Sequence, residues 1–540
     1  MPPRNRERAE DGLSIEAIVA IEPPREFRLH PRDRTVAFTA DVAGARQLFT
    51  MPLRGGYPTQ LTASEKPVSD PQWSPDGRRL AFVRDDEIWV IEADGSRLAK
   101  VTGHKAGTYG ARWAPDGKRL AFLSRRRGWS QVWIIDAPVP RRGRPAHEPR
   151  APEASALTPA GVDVTSLSWS PDGSEIAITT QPQVVDVETA QIVVVDVATG
   201  AARTVAGETS FDSLVSWLPD GSILFVSDAD GWFHVVRLTA NGRDRIVLTS
   251  GEREHGVHTI EFGPGFGFQP DPSPDGTRFV HIEIHDGLVD LVVRALDGEP
   301  PPKRGRGRPP KTPRTVSSAT AGRRINPWDG VWRRVGWLSD GAWVAAIGES
   351  ETRPQDLWLL PVPGVAPDDA RPRQVTNSLP AVVSAALVPG RVPATERIAF
   401  TARDGLRIEG NLWRPAGATG KRGGDRVPTI VSVHGGPTAQ AYRSFLPFKR
   451  HLVREGFAYL DVDYRGSSGY GRAFRWAING EWGHADVHDV IDAARWATEQ
   501  PWSDGRLAVY GGSYGGYLVL SALVEEPSMW RAGVDLFGDS

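Results

Sequence analysis

Leu507-Ala508-Val509-Tyr510-Gly511-Gly512-Ser513-Tyr514-Gly515-Gly516 runs directly into Tyr517-Leu-Val-Leu-Ser-Ala-Leu-Val-Glu525. An apolar run, a glycine-bracketed serine and a helix-forming run predict a strand, a sharp turn and a helix. A serine in the G-x-S-x-G pattern on such a turn stands out at the carboxyl end of a sheet, where its hydroxyl can attack a carbonyl. Ser513 is therefore the candidate nucleophile, and the last 150 residues are expected to form a mostly parallel α/β sheet.

The flanking segments repeat that strand and helix alternation. Ile398-Ala-Phe-Thr401 and Leu406 to Trp413 read as an antiparallel pair around Asp404-Gly405. Pro428 to Val433 and Phe457 to Asp463 read as strands. Phe445 to Glu455 has helical spacing, with Phe445, Phe448 and Leu452 on one face. Asp486 to Gln500 is a second helix, with Val487, Val490, Ile491, Ala494 and Ala497 on its apolar face. Ala532 to Phe537 is a further strand.

Two loops carry the remaining candidate chemistry. His434-Gly435-Gly436-Pro437 follows a strand, and its glycines leave backbone N–H groups open to a substrate oxygen. An oxyanion hole needs donors preset where negative charge will form, and the residue after the nucleophile supplies the second donor. Gly436 and Tyr514 are the candidate donors. Asp463-Tyr-Arg-Gly-Ser-Ser-Gly-Tyr-Gly-Arg472 is the second loop. Arg465 and His434 are candidates for holding substrate or orienting these loops; for Arg465, tying the loop down through backbone carbonyls is an equal alternative. Asp486 and Asp489 suit helix N-terminal charge better than catalysis.

Upstream the grammar differs. Trp73-Ser-Pro-Asp-Gly77 recurs at Trp113 to Gly117, Trp169 to Gly173, Trp217 to Gly221, Pro272 to Gly276 and Trp337 to Gly341, with a degenerate copy at Leu29 to Asp33. Pro-Asp-Gly supplies a turn, and short β-branched and aromatic runs follow each copy. Units of roughly 40–50 residues are too short to bury a core alone, so they read as propeller blades. The expected fold is an N-terminal seven-bladed β-propeller followed by an incomplete α/β-hydrolase domain. The expected divisions are an N-terminal segment 1–26, a propeller 27–390 and a catalytic domain 391–540. The motif tryptophans are expected in inter-blade core.

Composition narrows the function classes. With 64 basic and 66 acidic residues the net charge is −2, so no global pull toward nucleic acid or membrane exists. Cysteine is absent, which excludes disulfides, thiolate nucleophiles and Cys-ligated zinc. No metal or organic cofactor is implied. The N-terminus lacks an apolar signal core, and a cytoplasmic protein without a membrane partner is the default expectation. Basic insertions near 139–152 and 299–316 contain Arg-Gly-Arg-Pro, the core of an AT-hook. A solvated, Pro-rich loop is the preferred reading, and no nucleic-acid partner is expected.

His434 to Pro437, Asp463 to Gly471 and Gly511 to Gly516, in this order behind Trp-Ser-Pro-Asp-Gly turns, resemble the prolyl oligopeptidase family, especially its acylaminoacyl-peptidase and dipeptidyl-peptidase-like branch. The resemblance implies a serine peptidase acting on short peptides through an acyl-enzyme on Ser513, with the propeller as a size filter. It also implies a triad aspartate and histidine on loops after later strands. Asp535 and Asp539 come too early for that aspartate, and His434, His484 and His488 precede the serine. The triad acid and base are thus expected beyond Ser540, in a truncated chain that is inactive or weak alone. Two alternatives stand beside this reading: a peptide- or protein-binding propeller with a non-catalytic hydrolase remnant, and a carboxylesterase on the same fold. Oligomeric state is open.

Overall fold

Each Pro-Asp-Gly segment closes a β-hairpin. At the first full copy, Gly77 takes φ 75° and donates its N–H to Ser74 O at 2.8 Å. Ser74 Oγ donates to Asp76 Oδ1, which also accepts from Arg78 N. The same closure recurs at Ser170–Asp172 and Ser273–Asp275, so one local recipe builds several hairpins. The computed structural model describes residues 21–104, 106–138, 153–181, 189–256, 269–296, 322–379, 395–421 and 423–538, with the backbone of 314–317. The basic motifs at Arg141 to Pro145 and Pro301 to Lys311, and the expected boundary at 390/391, lie outside the described residues.

The hairpins assemble into four-stranded antiparallel sheets spanning 26–60, 68–100, 108–156 and 163–206. The sheet beginning at Asp212 gains a fifth, parallel strand, Arg314–Ser317. The copies at Pro272 and Trp337 do not form separate sheets. They share one nine-stranded sheet, joined through the single parallel pair Val289 and Val331. Seven motif copies therefore occupy six sheets. Each sheet buries one face against the next, as with Leu80, Phe82 and Val68 against Ala37 and Leu48.

Four motif tryptophans link neighbouring repeat units, three of them across sheets and Trp337 within the nine-stranded sheet. Trp73 Nε1 donates to Arg28 O, Trp113 Nε1 to Gln72 O, Trp169 Nε1 to Arg112 O and Trp337 Nε1 to Asp271 O, all at 2.9–3.1 Å. Every acceptor is a backbone carbonyl on the strand that leads into the preceding copy of the motif. Arg79 and Arg119 lie over the Trp113 and Trp169 rings. Those strands also converge on an ionic cluster. Asp70 meets Arg28 and Arg112, and Glu26 meets Arg334 while accepting from Asp70 N.

The C-terminal sheet has six strands: β1 Glu396–Thr401, β2 Arg407–Trp413, β3 Val427–Val433, β4 Ala458–Asp463, β5 Ser503–Gly512 and β6 Trp530–Leu536. Their order is β1-β2-β4-β3-β5-β6, with β2 antiparallel to both neighbours and β4, β3, β5 and β6 parallel. Four helices accompany them: α1 Pro447–Arg454, α2 Gly471–Trp476, α3 Ala485–Thr498 and α4 Tyr514–Glu525. All five residues expected on the apolar face of α3 are buried, and they pack with Leu518 and Val519 of α4 and Val431, Val462 and Val509 of the sheet. Helix α1 departs from its expected face. It starts at Pro447, a residue suited to the first helical turn. It buries Lys449 and Val453 while Phe448 is 52% exposed. Lys449 is drawn inward by Asp461 and by the Trp413 ring 3.7 Å from its Nζ.

The two domains meet through buried polar contacts. Arg475 of α2 donates to Asp228 at 2.6 Å. Gly471 N reaches Glu254 Oε1, Arg472 N reaches Gly231 O, and Phe445 N reaches Glu349 Oε2. A buried charge pair such as Asp228 and Arg475 is costly to break from one side.

Candidate active site

Strand β5 ends at Gly512 and helix α4 begins at Tyr514, so Ser513 occupies the turn between them with φ 55° and ψ −128°. Positive φ at a residue with a Cβ is strained by roughly 1–3 kcal/mol. The surrounding backbone holds it: Ser513 N donates to Leu536 O, and Ser513 O accepts from Gly516 N and Tyr517 N. The glycines are required by contact. A Cβ on Gly511 would lie 2.4 Å from Gly515 O, and one on Gly515 would lie 2.4 Å from Val433 O.

The loop after β3 rests against this turn. A Cβ on Gly435 would lie 3.2 Å from Ser513 Cβ and 3.7 Å from its Oγ. Gly436 follows with φ 133°. Tyr514, as first residue of α4, has an N–H with no acceptor within the helix. Its phenol donates to Asp486 on α3, and burial first, then that bond, pushes the phenol pKa up. Asp486, expected only as helix charge, thus anchors the residue after Ser513. No sequence signal marked that pairing, because the partners are 28 residues apart.

His434 is tied to its own loops. Its Nδ1–H donates to Gly435 O at 2.8 Å, and its Nε2 lies 2.9 Å from Ser467 Oγ, whose own proton goes to Tyr464 O at 2.6 Å. The ring stacks on Tyr464 at 4.6 Å, and burial lowers its pKa, so the ring is neutral. It orients the loops at the ends of β3 and β4.

Arg465, a candidate for holding substrate or orienting its loop, is engaged by carboxylates. Its Nε and Nη2 both donate to Asp489 at 2.8 Å, its Nη1 lies 2.7 Å from Asp404, and the residue is 6% exposed. Three of its five N–H donors are taken by these two carboxylates. It fastens the β4 loop to α3 through carboxylates, not through backbone carbonyls. Asp535 is likewise engaged, accepting from Gly538 N in the turn after β6. Asp539 lies outside the described residues. Among the described residues no side chain hydrogen-bonds Ser513 Oγ.

One group offers three ligand atoms of the kind metals use: His255, His281 and Glu283. Arg294 lies in it, donating from Nε to His281 Nε2 and from Nη2 to Glu283 Oε1. A guanidinium already supplies the positive charge there, and the group is not assigned a metal.

Comparison with known proteins agrees with this geometry. Residues 444–538 match the prolyl oligopeptidase family, and residues 42–138 match the dipeptidyl peptidase IV N-terminal region. Dipeptidyl aminopeptidase BIII of Pseudoxanthomonas mexicana is 36% identical over 147 residues, 26% of this chain and 21% of that protein. The acylamino-acid-releasing enzyme of Sus scrofa is 34% identical over 143 residues, 26% of this chain and 19% of that protein. The match thus spans about a fifth of each relative's length. A puromycin-hydrolyzing peptidase of Mycobacterium tuberculosis superposes with TM-score 0.75 at 20% identity, over 98% of this chain and 78% of that one. The acylaminoacyl peptidase of Pyrococcus horikoshii gives 0.65 at 18% identity, over 96% and 78%. At these identities the structural likeness speaks for the fold: a propeller followed by an α/β-hydrolase domain. Over residues 444–538 the chain is thus similar to the prolyl oligopeptidase family, and over 42–138 to the dipeptidyl peptidase IV N-terminal region.

Proposed function

We propose that this chain is a serine peptidase that cleaves short peptides through an acyl-enzyme on Ser513. The observation that carries the reading is Ser513 held at φ 55° between β5 and α4 with the Gly435-Gly436 loop packed on it. The Ser513 hydroxyl attacks the scissile carbonyl and loses its proton to a general base, which passes it to the leaving amine. Water then releases the acid from the ester. The N–H groups of Tyr514 and Gly436 receive the developing oxyanion, a role worth roughly 3–4 kcal/mol per donor in comparable sites. His434 and Arg465 are positioning residues for the two loops. The described residues place no base at Ser513 Oγ, so no base is assigned to a residue of this chain. The relatives named as dipeptidyl aminopeptidase and acylamino-acid-releasing enzyme favour peptides with either a free or a blocked N-terminus as substrates. Soluble peptides are the partners this reading needs, and no helix among the described residues is long and apolar enough to cross a membrane.

A fluorophosphonate probe tests the reading. Labelling of the folded chain that disappears in Ser513→Ala is expected, with release of anilide from dipeptide or acyl-amino-acid anilides. A folded chain that the probe leaves untouched, or labelling that survives Ser513→Ala, overturns it. Faster turnover of simple esters than of any anilide would redirect the assignment to an esterase.

A further inference from the structure

The ionic cluster of the propeller draws on four separate sheets. Glu26 and Arg28 belong to the sheet spanning 26–60, Asp70 to that spanning 68–100, Arg112 to that spanning 108–156 and Arg334 to the nine-stranded sheet. In a ring of sheets, side chains from four of them meet at the axis. Asp70 and Arg334 arrive there from bulges, where the register shifts between Ser69 and Gln72 and between Arg333 and Val335. Both take positive φ, 49° and 46°. A bulge re-aims a side chain. The strand Thr108–Trp113 has Gly110 at positive φ, with no side chain to aim.

Three guanidiniums face two carboxylates here, and the pairs are long. Arg28 Nη2 lies 3.6 Å from Asp70, Arg112 Nη1 lies 3.4 Å from Asp70, and Arg334 Nη2 lies 3.4 Å from Glu26. By contrast Arg475 closes on Asp228 at 2.6 Å. The carboxylates are also shared: Asp70 accepts from Gln72 Nε2, and Glu26 accepts from Asp70 N. The three Nε groups, Nη2 of Arg112 and Nη1 of Arg334 have no acceptor among the described residues. These donors are reachable, since 31%, 30% and 25% of the Arg28, Arg112 and Arg334 side chains is exposed. Burial, then the neighbouring Arg112, hold Arg28 down to about 10. Burial pushes Asp271, a further acid near Arg28, up to about 7, so it offsets the excess positive charge only in part at neutral pH.

We propose that the propeller axis is a binding site for a small oxyanion of phosphate or carboxylate type, held by Arg28, Arg112 and Arg334. Guanidinium groups approaching from separate strands suit an anion with several oxygens. The bound anion joins the sheets at 26–60 and 108–156 to the nine-stranded sheet. The first and last of these share no strand pairing among the described residues. They meet through Arg34 and Asp340, through Arg373 on Leu53 O, and through Phe27 and Leu53 packed with Leu338 and Leu357. An anion at the axis therefore stabilises the closed ring in proportion to its occupancy. The site is independent of chemistry at Ser513.

Titration calorimetry of the full chain with sodium phosphate, and separately with sodium acetate, tests it at an ionic strength held constant with chloride. Saturable binding of at least one oxyanion is expected, with a thermal midpoint that rises with its concentration. Arg112→Gln and Arg334→Gln are each expected to weaken binding about tenfold or more, the loss of one charged hydrogen-bonding partner. Arg112→Gln keeps the backbone carbonyl that accepts from Trp169. Asp70→Asn is expected to tighten binding severalfold, because it removes the carboxylate that competes for Arg28 and Arg112. That opposite sign separates a binding role from a structural one. No binding of either oxyanion, equal binding of chloride, affinity unchanged in both glutamine variants, or affinity lowered as much by Asp70→Asn as by the arginine variants overturns the site.

Discussion

Arg475 donates to Asp228 at 2.6 Å, with 1% and 0% of the two side chains exposed, across the junction of propeller and α/β domain. Asp228 also accepts from Phe211 N and faces Arg472 at 3.7 Å. Removing the cation alone leaves a carboxylate buried beside a weaker partner. Arg475→Met is expected to cost about 3–5 kcal/mol, read as a lower urea midpoint. Pairing it with Asp228→Asn is expected to recover part of the loss; no recovery would show that the two residues are not coupled.

The tryptophan links make a prediction within the propeller. Trp113 donates its indole N–H to the neighbouring unit, whereas Trp217 Nε1 is buried without a hydrogen-bond partner among the described residues. Trp113→Phe is expected to cost about 1 kcal/mol more than Trp217→Phe, the net worth of one hydrogen bond. Equal midpoints in chemical unfolding would refute the link.

For Arg465 the fork to Asp489 decides the outcome. Arg465→Lys keeps the charge but cannot reproduce two parallel N–H bonds. The expected result is a loss of about 1–3 kcal/mol of stability with KM for a peptide anilide little changed. A raised KM at unchanged stability would return Arg465 to the substrate.

Two buried histidines set an acid limit. Burial, then the neighbouring Arg294, hold His281 down to about 3, and burial with His281 beside it pushes His255 down too. Their folded-state values lie below the unfolded 6.5, so the unfolded chain binds more protons once the pH is below that value. Their stabilisation is complete above about pH 6.5 and falls toward pH 3, by up to about 1.4 kcal/mol per pH unit for each group. His281→Gln keeps an acceptor for Arg294 and is expected to flatten the slope between pH 6 and 4. Urea midpoints across that range check it.

Much of the fold is legible along the chain because turns are local. Ser74, Asp76 and Gly77 close their hairpin within a few residues, and the glycine N–H bond of that closure recurs at Gly117, Gly173, Gly221, Gly276 and Gly341. The apolar face of α3 is legible for the same reason, since Val487, Val490 and Ile491 follow the helical period. The face of α1 is not, because Asp461 and Trp413 pull Lys449 inward from other strands. The sharing of one sheet by the copies at Pro272 and Trp337 depends on a contact between Val289 and Val331 that no turn chemistry encodes.

The sequence by itself determined the strand, turn and helix around Ser513, the glycine loop beside it and the repeated propeller turns. Each depends on φ/ψ demands and hydrogen bonds met by residues close along the chain. Tertiary structure alone decided that Arg465 serves Asp489 and Asp404, that His434 serves Ser467, and that Asp486 anchors Tyr514. It alone brought Trp232 to Trp476, and Asp228 to an arginine 247 residues away. A charged or aromatic side chain takes its role from the partner that desolvates with it, and that partner is chosen by packing between distant segments.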